Sequence, residues 1–164
     1  MENKAKLQRQ IKRMATLFIT LLVLSGITAF PLQTELNFLV ANLNADSGIH
    51  YQWISEVSAA INEINNTYPF LAYGTDWLAF AHVIISIFFI GMYIDPVRNI
   101  WITHTGIIAC LLVFPLAFIA GAIRGIPLFW QLIDCSFGAL GLIPLLLIHQ
   151  KTKQLERLQT KPVT

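Results

Sequence analysis

Arg124, Asp134 and His82 are the side chains whose types and spacing could do chemistry in this chain. A guanidinium and a carboxylate ten positions apart can pair bidentately, bind an anion, or hold an acid and a base apart. An imidazole is the side chain best suited to move a proton near neutral pH. All three fall in or beside strongly apolar stretches, where a polar group must find a partner because water is absent. Gln131, Ser86 and Asp76 stand at neighbouring positions and complete the expected polar set. Two further histidines, His104 and His149, fall at the opposite ends of their apolar runs at comparable depth, and two histidines on facing helices could ligate a haem iron. No other haem-like motif accompanies them, and no cofactor is expected.

The elements that must position these residues are membrane spans. Of 164 residues 55% are hydrophobic and 12% charged, which places the chain in the membrane class and excludes a soluble domain. Apolar runs cover residues 14–30, 77–94, 100–120 and 127–149, each approaching the ~20 residues that cross ~30 Å of hydrocarbon. Ten of the eleven Lys and Arg residues lie where a four-span topology puts cytoplasm, and Arg124 is the exception. Both termini are therefore expected in the cytoplasm and the protein in an inner or plasma membrane. Trp77, Trp101 and Trp130 sit near span ends, as an interfacial aromatic belt requires.

The first run follows Lys4, Lys6, Arg9, Lys12 and Arg13, and resembles a signal peptide with Ser25, Gly26 and Ala29 near its end. Its length favours a retained anchor. Residues 31–76 form the sizeable segment outside the bilayer. Leu32, Leu36, Leu39, Val40 and Leu43 recur at helical spacing, and so do Ile54, Val57, Ile61, Ile64 and Tyr68. Two amphipathic helices joined at the turn-like Asn44-Ala45-Asp46-Ser47-Gly48 are expected, folded back over the outer end of the bundle. The fold class is thus an all-α, single-domain membrane protein over residues 1–164: four transmembrane helices with a two-helix extracytoplasmic cap between the first and second spans.

Face and depth bring the polar residues together. Thr75, His82, Ser86 and Tyr93 share one side of the second span. Thr103, Gly106, Cys110, Ala117, Gly121 and Arg124 form a small or polar stripe on the third, and Gln131, Asp134, Gly138 and Gly141 on the fourth. Small residues let helices approach closely, so the glycines read first as packing surfaces. Pro144 is expected to kink the fourth helix. His82 lies five residues below Trp77 and Asp134 seven below Pro127, about 8 and 10 Å from the outer edge at 1.5 Å per residue. A buried ion pair between Arg124 and Asp134, with His82 as third member of an outer-leaflet polar pocket, is the expectation.

No phosphate loop, HExxH or G-x-S-x-G motif is present. Cys110 and Cys135 are too few for a disulfide framework or zinc site and read as buried hydrophobes. Lipoprotein signal peptidases have this length and topology and use two aspartates near the outer surface. Asp76 and Asp134 match those parts only superficially, because the asparagine- and glycine-bearing motifs are missing. The functional expectation is a non-enzymatic lipid- or small-ligand-binding, transport-accessory or complex subunit. Its partners would be membrane lipids and a homo-oligomer or larger membrane complex, with no nucleic acid. The alternatives are a small intramembrane enzyme using Asp134 or His82 as acid or base with Arg124 holding an anion, and a haem protein.

Overall fold

A computed structural model describes residues 2–43 and 48–160. The turn expected at Asn44–Ser47 and the tail residue Lys161 lie outside the described residues. Among them the chain is all-helical, with no strand: α1 (Glu2–Thr28), α2 (Leu32–Asn42), α3 (Ile49–Thr67), a 3-10 turn (Pro69–Leu71), α4 (Ala72–Ile94), α5 (Ile100–Arg124) and α6 (Leu128–Thr160). Helices α1, α4, α5 and α6 are long and apolar enough to cross a membrane.

These four helices overrun the apolar windows, α1 by a dozen residues at its start and α6 by eleven at its end. Hydropathy marks where hydrocarbon begins, but backbone hydrogen bonding continues wherever a helix has something to pack against. Pro115 and Pro144 both lie inside their helices, each removing one backbone donor.

The chain forms two compact units, Met1–Leu21 with Ile85–Thr164, and Leu22–Ile84. In the first, α1 lays Leu7, Ile11 and Ala15 into the core, and α6 contributes Leu145, Ile148, Thr152 and Leu155. That 3-4-3 spacing on α6 is the seam of a coiled coil. Phe18 of α1 stacks on Phe89 of α4, with ring centroids 4.9 Å apart. The outward faces of α5 and α6 are apolar, with Leu112, Leu116, Phe137 and Leu140 exposed. Such a surface suits hydrocarbon and would be costly in water.

In the second unit, α2 and α3 form the expected pair of helices. Leu36 is buried, but Phe38, Leu39, Ile64 and Tyr68 remain exposed. The contact between the two helices is carried by polar side chains. Asn62 Oδ1 accepts from Gln33 Nε2 (2.6 Å) and Asn37 Nδ2 (3.3 Å). Its Nδ2 donates to Asn37 Oδ1 at 2.8 Å, and Ser58 Oγ donates to the same oxygen at 2.8 Å. Asn65 Nδ2 donates to Gln33 Oε1 at 2.9 Å. Gly26 of α1 packs against α4 here: a Cβ on it would lie 2.9 Å from the Ala79 carbonyl oxygen.

Candidate functional site between α5 and α6

Helices α5 and α6 form an antiparallel hairpin whose turn is set by one glycine. Gly125 ends α5 with φ 67°, a left-handed conformation that costs glycine little. The Ile126 amide then donates to the Gly121 carbonyl at 2.9 Å, closing the helix end. Gln131 reaches back from α6 and donates Nε2 to the Ile126 carbonyl at 2.7 Å. Its side chain fills the space beside Gly121, where a Cβ would meet Gln131 Cδ at 2.6 Å. Gln131 is buried and serves as the clasp of the turn. Lower down, a Cβ on Gly138 would meet the Cys110 carbonyl oxygen at 2.8 Å, so the two backbones are nearly in contact. The small-residue stripes act as packing surfaces, as their spacing suggests.

Above that seam lies a hollow of about 260 Å³ lined by Val113, Leu116, Ala117, Ala120, Gly121, Arg124, Ile126 and Asp134. Arg124 and Asp134 are its charged members, set in an apolar wall. The expected buried ion pair between them does not form. The salt bridge found among the described residues is Lys153–Glu156 at 3.0 Å, on the surface of α6. The reason is geometric. Arg124 is the last residue of α5 and is exposed, where the helix C-terminus favours a cation and a long side chain can reach water. Asp134 lies two turns into α6 and is half-buried. The two charges border one space without neutralising each other.

The other expected site residues are held in their own surroundings. His82 Nδ1 is 2.9 Å from the Leu78 carbonyl, which can only accept, so the ring's contact there is an Nδ1–H donation. Ser86 is buried on α4. Asp76 borders a hollow of about 370 Å³ within the second unit, together with Gln33, Asn65 and Thr75 on its polar side and Phe30, Ile61 and Leu71 on its apolar side. His104 and His149 meet across α5 and α6 with ring centroids 5.0 Å apart. Cys110 and Cys135 are free thiols. Among the described residues no three His, Cys, Asp or Glu side chains gather as a metal-binding group.

Two features escaped the sequence reading. The amide clasp of α2 and α3 has a visible signal, Gln33 and Asn37 four apart facing Ser58, Asn62 and Asn65 at steps of four and three. The second is a hollow of about 390 Å³ lined by Lys6, Arg9, Gln10 and Arg13 on α1. The apparent role of those charges as topology determinants hid their clustering on one helix face.

Comparison with known proteins identifies no relative: no family model matches this chain, and no curated protein or solved structure matches it.

Proposed function

We propose that this is a multi-pass protein of an inner or plasma membrane that binds a lipid or small ligand in the α5–α6 hollow and does not transform it. The observation that carries the reading is that Arg124 and Asp134 line one largely apolar hollow without pairing. Two opposite charges left for a third party suit a ligand carrying both an anionic and a cationic group, with an apolar portion against Val113, Leu116 and Ala117. A zwitterionic phospholipid head group has that chemistry: phosphate toward the guanidinium, ammonium toward the carboxyl.

The ten-to-one distribution of basic residues supports cytoplasmic termini and, with them, a hollow that opens toward the outer face. Burial of Ile11 and Ala15 supports a first span that stays with the protein. The apolar outward faces leave room for a second copy or a larger membrane complex. Native mass spectrometry of the protein released from mild detergent tests the reading. Retained phosphatidylethanolamine, lost in both Arg124→Gln and Asp134→Asn, is the expected result. Retention that survives both substitutions refutes it. A retained small substrate consumed by the wild type but not by Asp134→Asn would instead establish the enzyme alternative.

A further inference from the structure

The basic residues at the start of α1 are conventionally read as topology signals, which requires only that they stay on one side of the membrane. That role places no demand on their arrangement. Here three of them converge. Lys6, Arg9 and Arg13 line one hollow of about 390 Å³ with Gln10, and no carboxylate lines it among the residues whose side chains are described. Offsets of three, four and seven residues put all four side chains on one face of the helix. The helix itself is held in place: Leu7 and Ile11 are buried, and Lys151 of α6 donates Nζ to Gln10 Oε1 at 2.8 Å. The neighbouring Lys12 is turned away, its Nζ 5.0 Å from the centre of the Tyr93 ring. Lys153 is engaged by Glu156. Lys6, Arg9 and Arg13 have no ion-pair partner among the described residues.

Depth identifies what would neutralise them. Arg13 immediately precedes the apolar run that begins at Met14, so the hollow opens where hydrocarbon ends. From Arg13 to Lys6 is seven residues, about 10 Å along the helix at 1.5 Å per residue. That is the order of the polar head-group layer, which adds roughly 5–8 Å to each side of the hydrocarbon core. Arg13 sits at its inner edge and Arg9 about 6 Å further out, so the two guanidiniums span the layer in which a glycerophospholipid carries its phosphate, and guanidinium is the side chain that binds phosphate bidentately. The described lining is cationic and amide only, in contrast to the hollow containing Asp134.

We propose that Lys6, Arg9, Gln10 and Arg13 form a binding site for an anionic phospholipid head group, one with no cationic group of its own, in the leaflet at the basic end of the helices. The site is separate from the α5–α6 hollow and stands whether or not that hollow takes a zwitterion.

Native mass spectrometry of the full chain, exchanged into detergent with equal phosphatidylglycerol and phosphatidylethanolamine of identical acyl chains, reads it directly. Wild type retains phosphatidylglycerol beside any phosphatidylethanolamine held in the α5–α6 hollow, and Arg9→Gln with Arg13→Gln lowers the phosphatidylglycerol retention alone at least about tenfold, the loss expected for charge-assisted bonds. Lys153→Gln with Arg157→Gln removes equal charge on the C-terminal extension of α6 and leaves retention within about threefold, since exposed charges away from a site contribute little. Equal losses in the two double variants would mean diffuse attraction and overturn the site. If the Gln variant fails to fold, Arg9→Lys with Arg13→Lys keeps the charge but not the planar fork, and an unchanged phosphatidylglycerol retention there overturns the proposal. Inorganic phosphate should not displace the lipid at equal concentration; displacement would identify a free-anion site. An RNA oligonucleotide bound more tightly than the lipid, with the same Arg dependence, would also defeat it.

Discussion

Replacing Gly138 by alanine probes the contact on which the α5–α6 hollow depends. The new Cβ would lie 2.8 Å from the Cys110 carbonyl oxygen and 3.2 Å from Val113 Cβ. Even a close C–H···O contact keeps carbon and oxygen about 3.3–3.6 Å apart, so α5 and α6 must separate by roughly half an ångström. Neither obstacle is the end of a flexible side chain, so no rotamer change relieves it. Overpacking of this kind costs about 1–3 kcal/mol. Two other glycines calibrate the measurement. Gly74 has nothing within 4 Å of a built Cβ, and alanine there should be neutral or, through helix propensity, up to about 1 kcal/mol stabilising. Gly125 also has open space but φ 67°, so Gly125→Ala should cost about 1 kcal/mol through backbone strain alone. The assay is equilibrium unfolding of purified protein by dodecyl sulfate in mixed micelles, followed by tryptophan fluorescence. Gly138→Ala should be the least stable, Gly125→Ala intermediate and Gly74→Ala equal to or above wild type. Asp134 lies one turn from Gly138 on α6, so Gly138→Ala should also weaken ligand retention in the hollow. A Gly138→Ala protein as stable as Gly74→Ala would refute the close approach and the geometry built on it.

Other substitutions test separate parts of the structure. Asn62→Leu removes three side-chain hydrogen bonds between α2 and α3 and strands Gln33 and Asn37; about 1–2 kcal/mol of local stability should be lost, read as faster amide hydrogen exchange across α2. Unchanged exchange there would mean that apolar contacts alone hold the pair. Gln131→Leu deletes the bond to the Ile126 carbonyl and should cost about 1–2 kcal/mol in the same unfolding assay, with no stabilisation from the added apolar group because Gly121 leaves no space for its branching. For orientation, in a background lacking Cys110 and Cys135, Glu63→Cys should react with an impermeant maleimide on intact cells and Lys153→Cys only after permeabilisation. The reverse pattern would invert the topology.

What the sequence made legible was one-dimensional. The lengths of apolar runs are read along the chain, so four long apolar helices were readable without any knowledge of packing. Small residues at helical spacing likewise announced a close interface, because a missing side chain has one simple consequence wherever it falls. Pairing was different in kind. Arg124 and Asp134 belong to the polar stripes of neighbouring spans at nearly one depth, and an ion pair looked compulsory for charges near hydrocarbon. Yet Arg124 ends its helix, where the dipole and access to water satisfy it without a partner. Gln131, on the same stripe as Asp134, was taken up by a backbone carbonyl that only the bend at Gly125 brings within reach. Stripe membership says which residues face the same way, whereas partnership depends on where a helix stops and what its last carbonyls require. The cationic hollow on α1 was overlooked for the complementary reason. Positive-inside counting already accounted for Lys6, Arg9 and Arg13, and a charge with one sufficient explanation invites no second. Their convergence on a single face is a property of the helix that topology alone would never require, and for that reason it is the stronger pointer to a ligand.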